Sequence, residues 1–173
     1  VMNDCIDTIL KRKSVRFYLP DAIPEEQKQQ VIDAMLRAPT AGNQMLYSVI
    51  DVESAELKQK LSETCDHQPF IAAAPWVLLF LADFQRIFDF FQFSDVKSLV
   101  KAGIAPETQP QEADLLLAAC DTLIAAHTAA LAAESLGIGT CYIGDIMENY
   151  EIHRDLLSLP PYAVPITMLC FGY

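Results

Sequence analysis

Basic residues are scarce in this chain. Its 173 residues include 12 Lys and Arg against 23 Asp and Glu, a formal net charge of −11. No basic stripe offsets that charge, which argues against nucleic acid and anionic membrane surfaces as partners. Histidine is scarcer still: His67, His127 and His153 stand alone. The five cysteines, Cys5, Cys65, Cys120, Cys141 and Cys170, are odd in number and widely spaced, with no C-x-x-C pair. Such spacing supplies neither a zinc ligand set nor a disulfide framework. Each cysteine reads as a small buried hydrophobe in a reducing compartment. No basic segment leads an apolar one, which predicts no signal peptide and a cytoplasmic location. Internal repeats, linkers and low-complexity tracts are missing too. One run, 115–136, is apolar enough to raise the question of a membrane. Asp121, His127, Thr128 and Glu134 interrupt it, so it reads as a buried central helix.

What is present is a packed globular composition, with 52% hydrophobic and 20% charged residues. The length predicts one domain, residues 1–173, with a substantial core. Ile6, Ile9 and Leu10 recur at helical spacing and predict a helix over about 4–13. Pro24 opens a second helix, with Val31, Ile32, Met35 and Leu36 as its apolar stripe, and Pro39 ends it. Residues 47–52 read as a strand and 54–63 as a helix with Leu57 and Leu61 inward. Residues 76–82 form a continuous apolar run, the pattern of a strand buried on both faces. Residues 84–111 are dense in phenylalanine. They predict a peripheral helix to about Lys101, packed by its phenylalanines, and then a loop broken by Gly103, Pro106 and Pro110. The competing reading is an aromatic lid over a pocket. A long helix over 111–136 stops at Gly137. Being apolar nearly all round, it belongs at the centre of the fold or in a subunit interface. A strand over 139–143, a helix capped by Asn149 and a strand over 164–171 complete the chain. Helices interspersed with strands in this irregular order predict an α+β fold with a mixed sheet.

Against the acidic background, Lys11, Arg12, Lys13 and Arg16 fall close together. In Arg12-Lys13-Ser14-Val15-Arg16 a hydroxyl stands between guanidinium forks, a donor set suited to a phosphate monoester. The plainer reading is a helix end whose cations complement the macrodipole. A second segment, Pro39-Thr40-Ala41-Gly42-Asn43-Gln44, is too polar and too rich in turn formers for a core. It leads directly into a strand. A third, Ala132-Ala133-Glu134-Ser135-Leu136-Gly137-Ile138-Gly139-Thr140-Cys141-Tyr142-Ile143-Gly144, is a helix end, a glycine stop, a short strand and another glycine.

These segments, in this order, resemble the nitroreductase/flavin reductase family, whose members bind FMN. His67-Gln68-Pro69-Phe70 ahead of an apolar strand fits the same pattern, as does the stretch from Tyr142 to Tyr173. The resemblance implies an α+β nitroreductase-like fold. A central mixed, mainly antiparallel sheet would be flanked by helices, in a homodimer with FMN at the subunit interface. It implies that Arg12, Lys13 and Ser14 serve the phosphate and ribityl chain, and that Arg16 is a cation beside the ring. Gln68 would meet the pyrimidine edge. Thr40, Ala41, Asn43 and Gln44 would belong to a loop that reaches the partner's flavin. Ile143 and Gly144 would bring backbone up to the ring. No side chain is expected to act as the catalyst, since the chemistry resides at flavin N5 and Arg16 tunes the ring.

The implied activity is an FMN-dependent NAD(P)H oxidoreductase. It would carry out ping-pong two-electron reduction of a small-molecule acceptor: a nitroaromatic, a quinone or a flavin. The chain sets no preference between NADH and NADPH. Two other readings stay open: a related reduction on the same fold, such as dehalogenation or enoate reduction, and a non-catalytic flavin-binding or interaction protein. Family members usually continue beyond the equivalent of Gly172-Tyr173 with a tail that wraps the partner and adds a cation to the phosphate site. This sequence stops at Tyr173: either it is incomplete, or it is a short variant with fewer phosphate ligands.

Overall fold

The computed structural model describes residues 4–103 and 109–173. Four strands, β1 (Tyr47–Asp51), β2 (Trp76–Asp83), β3 (Gly139–Ile143) and β4 (Ala163–Gly172), form one sheet in the order β1-β2-β4-β3. Each neighbouring pair is antiparallel. An isolated parallel bridge between Ser14 and Thr140 extends the sheet beyond β3. The four strands are all antiparallel, so the mainly antiparallel sheet expected from sequence is found, and the parallel pairing is confined to this isolated bridge.

The helices are α1 (Asp4–Lys11), α2 (Glu25–Leu36), α3 (Ala55–Thr64), α4 (Pro69–Ala73), α5 (Gln85–Phe93), α6 (Val96–Lys101), α7 (Glu112–Ser135) and α8 (Tyr150–Leu156). The apolar run of β2 is buried on both faces because side chains alternate along a strand. Trp76, Leu78 and Phe80 join one core with α7, while Val77, Leu79 and Leu81 join the other with Leu61, Ile71 and Ile143. Ser54 caps α3 by accepting from the Leu57 N–H at 3.2 Å.

Helix α7 starts with a capping box in which the Gln111 N–H donates to Asp114 at 2.8 Å. It ends where Gly137 takes a positive φ of 76°. Its inner face is alanine (Ala118, Ala125, Ala126, Ala129, Ala130 and Ala133), and these small side chains are buried. The outer face is apolar and uncovered in this single chain, with Leu116 67% and Leu123 47% exposed. By length and composition α7 is long and apolar enough to cross a membrane. Its alanine face is instead packed on the sheet.

Several expectations are corrected. Helix α1 ends at Lys11, a cation in its last turn, and the Arg12 N–H still donates to Thr8 O at 3.1 Å; Ser14 and Arg16 lie beyond the helix, so the basic cluster is only in part a helix end. The 84–101 helix is two helices, because the chain breaks at Ser94, whose hydroxyl bonds back to Phe91 O at 2.9 Å. Only part of it is packed by phenylalanine: Phe88 meets Tyr162 edge-on at 5.1 Å, whereas Phe90 and Phe93 are exposed. Pro106 lies outside the described residues. Cys65, Cys141 and Cys170 are buried as expected, but Cys5 and Cys120 are exposed. Asn149 does not cap α8 with its side chain; Nδ2 donates to Thr64 O at 2.7 Å instead.

His153, fully buried, ties α8 to its neighbours. Nδ1 lies 2.7 Å from Ile146 O, and Nε2 lies 2.8 Å from the Thr64 hydroxyl. A neutral ring donates from Nδ1 to Ile146 O and presents Nε2 to the Thr64 hydroxyl, whose one hydrogen is shared between Nε2 and Lys60 O, 3.0 Å away. Burial lowers its pKa, and the bond to Ile146 offsets this only in part. The unfolded chain therefore binds a proton first as pH falls. Stability from this group is present above the ordinary histidine value of about 6.5 and is lost as pH drops through the lower folded value. We expect melting temperature to fall from about pH 7.5 to about pH 5, and to fall less in His153→Gln. Equal slopes for the two proteins would contradict this.

Candidate functional site

The segment 12–16 runs along the free edge of β3. The Val15 N–H donates to Thr140 O at 2.9 Å next to the Ser14 bridge. Gly139 makes this approach possible. A Cβ there would sit 2.7 Å from Val15 Cγ2, closer than atoms can pack. Tyr18 presses on Gly172 in the same way, with its hydroxyl donating to Val15 O at 2.7 Å. Both glycines are explained by a neighbouring side chain packed where a Cβ would stand.

The cations of this segment differ in their partners. Lys11 is paired with Asp7 at 2.5 Å. Among the described residues no carboxylate forms an ion pair with Arg12, Lys13 or Arg16. The segment lies beside Thr140, next to the buried Cys141. Burial pushes that thiol's pKa up, while the Arg16 and Arg12 guanidinium charges and the Ser14 hydroxyl pull it back. Arg12 has the same opposing influence on Tyr142, whose burial raises its phenol to about 12. Arg16 lies 6.0 Å from the centre of the Phe70 ring.

Phe70 leads to Gln68, which immediately precedes α4. Asp66 and His67, just before it, both adopt positive φ, 57° and 52°. That tight turn lets Gln68 bond back to the end of α3: its N–H donates to Ser62 O at 2.9 Å, and its carbonyl accepts from the Ser62 hydroxyl at 2.9 Å. The side-chain Nε2 donates to Cys65 O at 3.0 Å and to Asp145 Oδ2 at 2.8 Å. Asp145 follows Gly144, so Gln68 and the turn after β3 are brought together. Ile143 is buried in the core and has only backbone to offer a ligand. Gly144 is different. Its φ of −84° and ψ of −23° suit any residue, and a Cβ there would meet no atom within 4 Å. Nothing among the described residues explains a glycine at this position.

The segment from Thr40 to Gln44 is well built but sits elsewhere. It forms a short 3-10 turn, Ala41–Asn43, in which Gly42 and Asn43 have φ of 55° and 56°. Buried Asp121 of α7 holds it: the Ala41 N–H donates to Oδ1 at 2.9 Å and the Leu46 N–H to Oδ2 at 3.3 Å. The turn feeds β1, at the opposite edge of the sheet from β3. Three strand spacings separate those edges, roughly 14 Å. Within one chain, then, the segment carrying Arg12, Lys13, Ser14 and Arg16 lies along β3, which ends at Ile143 ahead of Gly144, and Gln68 is tied to the turn that follows through Asp145, while Thr40, Ala41, Asn43 and Gln44 lie at the other edge of the sheet.

Two structural partners were missed from sequence. Asp121 was read only as a polar break in an apolar run, although an acid inside a helix otherwise buried by alanine is itself a signal. Asp145 carried no signal beyond its place after Gly144.

Comparison with known proteins gives a consistent result. Residues 9–173 match the family model described as the nitroreductase family. An "FMN reductase [NAD(P)H]" of Bacillus subtilis is 36% identical over 173 residues, covering 99% of this chain and 66% of the relative. A "NADPH-flavin oxidoreductase" of Vibrio harveyi is 31% identical, again over 99% of this chain and 66% of the relative. The chain thus spans just under two thirds of the curated relatives it matches. The solved NADPH:FMN oxidoreductase of Vibrio harveyi complexed with NAD+ superimposes with a TM-score of 0.84 at 30% identity, covering 99% of this chain and 69% of that one. A fold match of this quality and a family match over nearly every residue lead to one conclusion: the chain belongs to the nitroreductase family.

Proposed function

We propose that the chain is a single nitroreductase-type domain that binds FMN and acts as an NAD(P)H-dependent oxidoreductase on small electron-poor acceptors such as nitroaromatics, quinones or flavins. The observation that carries this reading is Gly144. It has ordinary backbone angles and open space where a Cβ would stand, at the end of the strand whose free edge carries a segment of cations with no ion pair among the described residues. A flat, anionic ligand accounts for both. The names of the similar proteins, FMN reductase and NADPH-flavin oxidoreductase, point the same way.

When bound, FMN supplies two-electron hydride chemistry between a reduced nicotinamide and the acceptor. The chain's own residues hold and tune it. Arg12, Lys13 and Ser14 offer charge-assisted donors to the phosphate and ribityl chain. Arg16 stands beside the ring and favours negative charge there. Gln68 meets the pyrimidine edge, and the backbone of Ile143 and Gly144 approaches the ring without a side chain in the way.

The loop from Thr40 to Gln44 serves the flavin of a second copy. Its place at the far edge of the sheet supports this, and so does the exposed apolar face of α7, which a homodimer would cover. We place the protein in the cytoplasm, where buried thiols such as Cys65 and Cys170 stay reduced.

Arg16→Ala tests the assignment. Arg16 is exposed and packs only loosely on Phe70, so the fold should persist. FMN affinity should drop by about tenfold, the scale of one charged hydrogen bond, and anaerobic reduction by NADPH should slow. Unchanged affinity and rate would remove Arg16 from the site.

A further inference from the structure

We propose that Asp145 is a positioning residue. It fixes the side-chain amide of Gln68 so that the oxygen, not the nitrogen, faces the ligand. The proposal rests on the FMN reading above and adds the polarity of one edge of the site.

The hydrogen bonds of Gln68 account for nearly all of its polar groups. Its backbone is tied to Ser62 at both N–H and C=O. The side-chain nitrogen has two hydrogens. One goes to Cys65 O at 3.0 Å and the other to Asp145 Oδ2 at 2.8 Å. Turning the amide over would set Oε1 against a carbonyl and a carboxylate, neither of which has a hydrogen to give. The orientation therefore follows from the chemistry of the partners. No described residue donates to Oε1, so the group left for a ligand is an acceptor. Its backbone and side chain are both anchored, and the amide cannot swing to offer a donor instead.

A fixed acceptor selects a ligand edge that carries an N–H. The imide N3–H of an isoalloxazine ring is such a donor. An otherwise identical ring without that hydrogen would leave Oε1 unpaired. Of the two anchors, the Cys65 carbonyl belongs to the turn that positions Gln68 itself. Asp145 is the side-chain anchor, delivered by the 3-10 turn Asp145–Met147 that follows Gly144.

The test is equilibrium binding of FMN and of N3-methyl-FMN to the wild-type chain, Asp145→Ala and Asp145→Asn, read by flavin fluorescence. Wild type should prefer FMN by about tenfold, the scale of one lost hydrogen bond to a fixed acceptor. In Asp145→Ala the preference should shrink to about threefold or less, because the Cys65 carbonyl alone is then left to hold the amide. Asp145→Asn keeps the shape and pairs with either end of the amide, so its preference should fall between the two. It decides the matter if the alanine variant does not fold. A purely structural role would weaken both flavins equally and leave the ratio unchanged. Wild type that binds FMN without discriminating, or a variant set that keeps the wild-type ratio, overturns the role of Asp145 and leaves the flavin site standing. Wild type that binds neither flavin overturns both.

Discussion

Replacing Gly144 with valine should leave a folded protein that no longer retains FMN. The two halves of that expectation have separate causes. On the protein side, φ and ψ at Gly144 are ordinary for any L-residue, and a Cβ meets nothing within 4 Å. The substitution should therefore cost little stability, and circular dichroism and the melting temperature should stay near wild type. On the ligand side, the same open space is where we place the ring, and a branched side chain would occupy it. Overpacking a close contact commonly costs about 1–3 kcal/mol, which predicts an affinity loss on the order of 10- to 100-fold. Dialysis against FMN followed by a flavin assay reads this directly. A folded Gly144→Val protein with a full complement of flavin would mean that the turn after β3 lies away from the ring.

The second large effect concerns stability. Asp121→Ala removes the acceptor for two backbone N–H groups, those of Ala41 and Leu46, that anchor the turn before β1. Asp121 is only 3% exposed, so water cannot readily replace the carboxylate. Each buried donor left unpaired costs about 1–3 kcal/mol, and the pair should cost about 3 kcal/mol or more. Denaturant unfolding of Asp121→Ala against wild type measures it. Asp121→Asn keeps one acceptor oxygen and should recover part of the loss. A shift below about 0.5 kcal/mol in the alanine variant would show that the turn stands without its anchor. Because the turn is also where we place contacts to a partner's flavin, the variant should lose flavin as well as stability.

Much of the fold was legible because its signals are local. The apolar run of β2 needs only its own residues to announce a strand buried on both faces, and Gly137 marks the end of α7 by itself. The motif segments were legible for the same reason: Arg12, Ser14 and Arg16 lie within one short stretch, and Gly144 directly follows a strand. What escaped depends on contacts between distant residues. Asp121 meets Ala41, 80 positions away, and Gln68 meets Asp145, 77 positions away. No periodicity or spacing encodes such pairs. Gly139 gives no local sign of its real constraint, the Val15 side chain, because that comes from the far N-terminal segment. The break at Ser94 was missed because a single hydroxyl bonding back to Phe91 decides it, against a phenylalanine pattern that continues through. The separation of the Thr40–Gln44 loop from the cationic segment follows from strand order, a property of the whole sheet.

The most direct test is the visible absorption spectrum of the protein after incubation with FMN and desalting, followed by anaerobic addition of NADH and then NADPH. A flavin band that survives desalting and bleaches with a nicotinamide is the predicted result, and the nucleotide that bleaches it identifies the donor. A colourless protein after desalting would contradict a flavin site built from residues 12–16, Gln68 and Gly144. A retained band that neither nucleotide bleaches would contradict the oxidoreductase reading while leaving that site in place.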